Sequence, residues 1–575
     1  MPIATMTAGL TATPTGRRAL PGRGEFATLM DALDRAAGGA VTGMNFYDAR
    51  GALVEALGYA QLAAEARLAG GRMLGLGLAP GDRVGLVAET EGDFVRAFMG
   101  AMMAGLVPCP MPLPTAFGVR AEYAGQLRRI AAVAGASAVI LAEPYRALVG
   151  SALTDAGLAY IGPLDGLPAA PEALPDRAHD REALAYLQFS SGTTRAPRGV
   201  AVTHGALMTN LEGMAHALAI VPEDRGVSWL PLYHDMGLVG CMLLPIATQM
   251  PIDYLATRDF VRRPGLWPTM MSRARATLSY APSFGFQLAA QRARLNEPLD
   301  LSTWRVAGVG GDMVKTASLD AFAEVYEPYG FRPASFLASY GMAELTLGLT
   351  FSAPAKGYRA DLLLSGPLER DVAEPAPPGA DGVRAFARCG VPLPGHDVEI
   401  RNEAGSRLGD YRVGRVFARG PSMMQGYFHD PAATAEVLSA EGWLETGDKG
   451  YLAEGELVIT GRSKDLIIIN GRNIWPQDIE WTLEHRVESL REGGVAAFSI
   501  DSGPEEMLGV VLQTSRSDAR ARDGLRSEAD RLVRQLFGLA PEIFFSPPGL
   551  LPRTSSGKLS RSQVREMHRA GRFER

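Results

Sequence analysis

Between residues 50 and 190, short apolar runs alternate with apolar residues at helical spacing. Asp82-Arg83-Val84-Gly85-Leu86-Val87 follows the turn at Pro80-Gly81 and reads as a strand. Phe94, Phe98 and Met102 recur every four residues, which places them on one helix face, and Ala138 to Leu141 predicts another buried strand. This alternation favours an α/β layered architecture. Leu207, Leu211, Met214 and Leu218 make a further helix stripe, whose plainest use is core packing. From Ala353 to Gly382 the pattern breaks. Pro354, Pro367, Pro375, Pro377 and Pro378 stand among charges and glycines, and predict a loop or insertion rather than a core element. After Gly461-Arg462 the pattern resets to short strands (Asp465 to Ile469, Val495 to Ile500, Leu508 to Gln513) alternating with helices. That stretch suits one small α+β domain of about 110 residues. No internal repeat is visible.

Composition narrows the picture. A chain of 575 residues allows roughly three to four domains. Its 47% hydrophobic and 21% charged residues are globular proportions. The net charge of −6 argues against a general nucleic-acid binder. Cys109, Cys241 and Cys389 lie too far apart for a disulfide framework or a cysteine zinc site, and fit a reducing, cytoplasmic compartment. Residues 1–24 lack an apolar segment behind a basic start, so a disordered leader is expected rather than a signal peptide. The uncharged run from Ala97 to Val119 is long enough to span a bilayer. Pro108, Pro110, Pro112 and Pro114 break it, so a buried helix leaving into an extended segment is expected, with no membrane span. Of 57 basic residues only five are lysines: Lys315, Lys356, Lys449, Lys464 and Lys558.

The segment Phe189-Ser190-Ser191-Gly192-Thr193-Thr194-Arg195-Ala196-Pro197-Arg198-Gly199 carries the strongest chemical signal. Glycine lets backbone approach a ligand, and consecutive hydroxyls and amide N–H groups make a cradle for phosphate oxygens. It is not a Walker loop. The Gly-Lys-Ser/Thr ending is missing, and the strand-like Val200-Ala201-Val202 follows where a helix would begin. The segment resembles the signature of the adenylate-forming superfamily: acyl-CoA synthetases, peptide-synthetase adenylation domains and luciferases. Four further segments resemble that superfamily's motifs in the expected order. They are Ser339-Tyr340-Gly341-Met342-Ala343-Glu344, Trp443-Leu444-Glu445-Thr446-Gly447-Asp448, Gly461-Arg462-Ser463-Lys464-Asp465 and Pro552-Arg553-Thr554-Ser555-Ser556-Gly557-Lys558. Leu232-Tyr233-His234-Asp235-Met236-Gly237-Leu238, Arg472-Asn473-Ile474-Trp475-Pro476-Gln477-Asp478 and the break at residues 353–382 are similar to fatty acyl-AMP ligases within it. Two positions depart from the superfamily pattern: Arg198 stands for the usual loop lysine, and Asp312 for the usual glutamate.

The resemblance implies an α/β fold in which a large adenylate-forming body, residues 25–461 with the insertion at 353–382, carries a small mobile α+β lid, residues 462–575. It implies ATP and Mg²⁺ as cofactors, and as partners a fatty acid and a holo acyl carrier protein. Ser191, Gly192, Thr193 and Thr194 would cradle phosphate. Tyr340 would stack on adenine, with Ser339, Gly341 and Met342 around it and Gly310, Gly311 and Asp312 walling the other side. Glu344 would hold Mg²⁺, Asp448 would accept the ribose hydroxyls, and Arg462 would add a donor. His234 would sit between carboxylate and phosphate, Lys464 would be the hinge, and Lys558 would bridge the carboxylate and the α-phosphate as the catalytic cation. In that family the insertion is thought to hinder the lid rotation that admits coenzyme A. An acyl-CoA synthetase, an amino-acid adenylating enzyme using Asp235, and a catalytically silent nucleotide- or lipid-binding protein remain as alternatives. Met236, Met242 and Met250 could line an acyl tunnel or simply pack the core.

Overall fold

The computed structural model describes residues 24–39, 42–114, 120–169, 171–174, 180–190, 197–293, 298–469, 472–490, 494–501, 506–516, 518–553 and 558–575. The expected leader lies outside them apart from Gly24. The architecture is α/β, with helices and several sheets packed in layers. A nine-stranded sheet dominates. Six of its strands run parallel, in the order Phe336–Gly341, Val306–Val309, Leu278–Ala281, Gly226–Ser228, Ile252–Leu255 and Gly43–Tyr47. These strands are short and almost wholly buried, as parallel strands covered on both faces must be. All six end on the same side, so the loops that follow them share one edge of the sheet. In open α/β sheets that edge is where ligands bind.

A second parallel sheet holds Val107–Pro110, Arg83–Val87, Ala136–Leu141 and Tyr160–Gly162. It confirms the strands and helix read from the alternation, and the helix Gly92–Met103 carries Phe94, Phe98 and Met102 buried. The long uncharged run is therefore that helix followed by the strand Val107–Pro110, and its prolines are tolerated because the strand lies at the sheet's edge. Among the described residues no helix is long and apolar enough to cross a membrane. The three cysteines are buried as free thiols.

The segment at 353–382 is more than a loop. It contains the strand Ala360–Leu364, paired antiparallel with Val383–Ala387, and the helical turn Ser365–Leu368. Leu363, Leu368 and Ala373 are fully buried against Phe386, Tyr451 and Trp475. Proline density misled the reading because Pro375, Pro377 and Pro378 fall outside the strand and the helical turn, and Pro367 sits in a single turn whose N–H groups need no intrahelical partner.

The last hundred-odd residues build a separate core. Strands Val495–Asp501, Glu506–Gln513 and Pro541–Ser546 form one sheet under the helices Pro476–Arg486 and Ala519–Phe537. The helix Arg561–Arg569 packs its Val564 on the same sheet with Phe498 and Phe544.

Candidate active site

The site grows out of the loops at the carboxyl edge of the large sheet. After Gly226–Ser228 the chain runs through Trp229 to His234 and Asp235, then enters a π-helix, Met236–Leu243. Helices of this kind are rare and concentrate at functional sites. The Asp235 carboxylate caps it by accepting from the Met236 N–H at 2.7 Å, and its other neighbour is His234 Nδ1, also at 2.7 Å. After Val306–Val309 come Gly310, Gly311 and Asp312, and the end of Phe336–Gly341 supplies Ser339, Tyr340 and Gly341. Glycine is required at 341: a Cβ there would sit 1.8 Å from the Leu347 carbonyl oxygen. Gly311 adopts φ +79°, a conformation other residues resist.

Asp448 and Arg462 come from a different sheet but meet as a cross-strand pair, because Leu444–Ala453 and Glu456–Arg462 run antiparallel with those two residues in register. Arg462 Nε lies 3.5 Å from Asp448 Oδ1, and Tyr340 Oη donates to Asp448 Oδ2 at 2.6 Å. The adenine and ribose candidates are thus one hydrogen-bonded unit. The Asp448 charge holds the Arg462 pKa above its ordinary value, and burial together with Asp448 pushes the Tyr340 phenol far up. Neither side chain can change charge near neutrality.

Glu344 is buried, 8% exposed. Burial raises its carboxyl pKa, and the hydrogen bond that Tyr427 Oη donates to Oε1 at 2.9 Å opposes that rise. The Arg198 guanidinium lies on the Tyr427 ring, 4.9 Å from its centroid, and pairs with Glu436 at 3.2 Å. Nothing in the local sequence marks Tyr427. It reaches Glu344 because Gly426–Tyr427 pairs with the strand Arg198–Thr203. One buried carboxylate oxygen beyond the Tyr427 bond is a hard donor that suits Mg²⁺. Among the described residues no group of three or more His, Cys, Asp or Glu could cage a metal.

These residues line one cleft of about 2100 Å³ that also takes in Lys464 and Lys558. Burial alone would raise the Asp235 pKa, but the charges of His234 and Lys558 and the Met236 N–H hold its carboxyl below the ordinary value. Lys558 lines the same cleft as Asp235 and His234, near enough for its charge to act on the Asp235 carboxyl. Lys464 is exposed, in the turn Ser463–Asp465 that joins the two cores. Met236 lines the cleft, while Met242 and Met250 are buried in the body core and do not. Asp312 is exposed at the rim, its carboxylate accepting from the Met313 N–H. Ser191, Gly192, Thr193 and Thr194 lie outside the described residues.

The segment 353–382 also borders the cleft and holds the C-terminal unit. Glu369 accepts from Arg472 Nε and Nη2, at 2.7 and 2.8 Å, and Asp371 accepts from Asn473 Nδ2 at 3.2 Å and from Lys449 Nζ at 3.1 Å. Just beyond the segment, Arg384 pairs with Asp478 at 2.7 Å while stacked between Phe386 and Trp475. Lys315 lies over the Trp481 ring at 4.8 Å and 3.9 Å from Glu484. Lys315 and Lys449, which no motif explains, thus serve contacts beside the C-terminal unit.

Tyr340, Glu344, Asp448 and Lys558 share this one cleft, and the family to which the chain belongs makes it an ATP-dependent acid-adenylating enzyme. The sequence model of the AMP-binding enzyme family matches residues 45–428, and the chain belongs to that family. A Caulobacter vibrioides protein, provisionally named an acyl-CoA synthetase, is 47% identical over 99% of this chain and 100% of its own length. The long-chain-fatty-acid–AMP ligase FadD26 of Mycobacterium tuberculosis is 30% identical over 86% of this chain and 88% of its own. A solved structure from a study of fatty acyl-adenylate ligases of E. coli and L. pneumophila superposes with TM-score 0.91 at 40% identity, covering 96% of this chain and 99% of that one.

Proposed function

We propose that the protein activates a fatty acid with ATP and passes the acyl group to the phosphopantetheine thiol of a holo acyl carrier protein. A carboxylate is a poor acylating agent, because its charge repels nucleophiles and oxide is a poor leaving group. In the first step a carboxylate oxygen of the fatty acid attacks the α-phosphorus of ATP. A P–O bond forms there, the bond to the β-phosphate bridging oxygen breaks, and pyrophosphate leaves. In the second step the carrier thiol, losing its proton, attacks the acyl carbon and AMP departs. Negative charge spreads over the first transition state, so positioning and cationic stabilisation supply most of the acceleration.

Within this reading, residues 25–461 form the body and residues 462–575 the lid, with Lys464 as hinge. Lys558 bridges the acid and the α-phosphate, His234 attends the same corner, and Asp448 with Arg462 holds the ribose beside Tyr340. Glu344, kept in place by Tyr427, would hold Mg²⁺, which when bound neutralises phosphate charge. The observation that carries the reading is that Lys558, from the far end of the chain, lines the same cleft as His234, Asp235, Glu344, Asp448 and Tyr340. The apolar floor of that cleft, with Trp229, Met236, Leu244, Phe284 and Leu288, suits an acyl chain. Asp235 is already engaged by His234, Met236 and Lys558, which disfavours its use as partner for an α-ammonium group. FadD26 is named as a long-chain-fatty-acid–AMP ligase, which supports the adenylation step.

The name of the Caulobacter relative favours a second reading, coenzyme A as acceptor. Thioester formation with coenzyme A and with a holo carrier protein, run side by side on one fatty acid, separates the two. Acyl-carrier product in clear excess supports the proposal, and faster acyl-CoA formation replaces it with the second reading.

A further inference from the structure

Lys558 needs a fixed base to be useful. Its ammonium is a compact charge on a flexible four-carbon stem with little shape of its own. Residues 554–557 lie outside the described ones, but the ends of the hairpin around them are held. Arg553 bridges Leu559 antiparallel, and the Ser560 N–H donates to the Pro552 carbonyl at 2.9 Å. Immediately afterwards Arg561 opens the last helix, three residues beyond the lysine.

Arg561 spends its whole guanidinium on two buried carboxylates. Nε and Nη2 fork the two oxygens of Glu480 at 2.9 and 2.6 Å, and Nη1 reaches Asp465 Oδ2 at 2.8 Å. The arginine side chain is 10% exposed and the carboxylates 5% and 17%. Glu480 Oε1 is fixed in turn by the Ala497 N–H of the lid sheet at 3.0 Å. One helical turn on, Arg565 donates to the Lys464 carbonyl and to Ser499 Oγ, both at 3.3 Å. Two arginines from the helix behind the catalytic lysine therefore grip both Lys464 and Asp465 of the hinge turn.

Buried ion pairs of this kind are weak devices for stability, since apolar packing often does as well. Their strength is geometric, because a fork binding two carboxylates leaves the backbone behind it one orientation. We propose that Arg561 is a positioning residue for Lys558, a strut that ties the lysine hairpin to the hinge turn so that both move as one body. The proposal rests on Lys558 being the adenylating cation. If the hinge turns at Lys464, the strut carries the ammonium with it, and the lysine returns to the Asp235–His234 corner without a fresh search.

The test is a double-mutant cycle in the full-length protein: wild type, Arg561→Gln, Lys558→Ala and the pair, with Arg561→Lys beside them. Single-turnover formation of acyl-adenylate from labelled ATP and a fatty acid is followed, so that the weak variants remain measurable. Misplacement of a reacting group by an ångström costs on the order of 100-fold. Arg561→Gln is therefore expected to lower the rate by roughly 10- to 100-fold at unchanged KM for ATP. In the Lys558→Ala background it is expected to cost nothing further, because the lysine through which it acts is gone. Arg561→Lys, which keeps the charge and loses the fork, is expected to recover only part of the rate. A similar loss in both backgrounds, or a folded Arg561→Gln within twofold of wild type, would overturn the proposal. Should Arg561→Gln lose its melting transition, Asp465→Asn breaks only the hinge arm and leaves the Glu480 fork. A reduced rate at wild-type Tm then supports the strut, and an unchanged rate refutes it. A wild-type protein forming no acyl-adenylate from any fatty acid would remove the functional reading itself, and the strut with it. An additive loss in an active enzyme sinks the strut alone.

Discussion

Tyr427 donates its hydroxyl to a carboxylate 83 residues away in sequence and turns its ring to Arg198. The outcome is that Glu344 keeps one orientation inside a buried wall. A group that orients a metal-holding carboxylate typically contributes 10- to 100-fold in metal affinity. Tyr427→Phe is accordingly expected to raise the Mg²⁺ concentration for half-maximal adenylation by about tenfold, with the fatty-acid KM unaffected. A Mg²⁺ titration of initial rate checks it. Asp448→Asn removes the charge that faces Arg462 and leaves Tyr340 with a weaker acceptor. A hydrogen bond to a charged group contributes about 1.5–3 kcal/mol, so the KM for ATP is expected to rise about 10- to 100-fold. Residues such as Tyr340, Glu344, Asp448 and Lys558 could be read from the chain because each sits in a contiguous motif. Tyr427 and Arg561 could not, since strand pairing and helix packing bring their partners to them from 83 and 81 to 96 residues away.

Among the elements, the segment at 353–382 behaves as a bracket. Its apolar side is locked by Leu363, Leu368 and Ala373, and its acidic side holds Arg472, Asn473 and Lys449. Deleting it would strip the cover from Tyr451 and Trp475 and leave the buried Lys449 unpaired. Glu369→Ala combined with Asn473→Ala instead removes the segment's side-chain hold on Arg472 and Asn473 and spares the Lys449–Asp371 pair. If the bracket restrains rotation, this variant is expected to raise the ratio of acyl-CoA to acyl-carrier product several-fold; an unchanged ratio counts against the restraint. Asp478 offers a pH test of the neighbouring contact. Burial raises its carboxyl pKa from 3.8 to about 6, with Arg384 opposing. A folded-state pKa above the unfolded value means that the folded form holds the proton more tightly. The stabilisation from this group is complete below pH 3.8 and is lost as pH rises through 6. The Tm of wild type minus that of Asp478→Asn is therefore expected to fall between pH 4.5 and 7; a constant difference contradicts it. The strands and helices of the body were legible because period-2 and period-3.6 patterns report burial directly. The bracket was not, because most of its prolines lie outside its short elements and its buried side chains belong to a patch completed by residues 386, 451 and 475.

At the scale of the whole molecule, the large sheet brings the loops that follow its six parallel strands to one edge, and Lys558 of the C-terminal unit lines the cleft there. The α/β class follows from alternation along the chain. How the two cores meet does not, since Arg384–Asp478, Lys315–Trp481 and Arg472–Glu369 join residues 94 to 166 positions apart with no local trace. The shortage of lysine gains meaning here. Two of the five stand at the proposed hinge and the proposed catalytic position, and two more, Lys315 and Lys449, make contacts beside the C-terminal unit.

The central claim is that this assembly adenylates a fatty acid through Lys558. It is tested most directly by fatty-acid-dependent exchange of labelled pyrophosphate into ATP, comparing wild type with a folded Lys558→Ala variant. Removing one preorganised group that stabilises transition-state charge costs on the order of 100- to 1000-fold. Exchange that requires the fatty acid and falls by that factor in the variant is the expected result. Exchange absent from the wild type, or equal in the two proteins, would contradict the account.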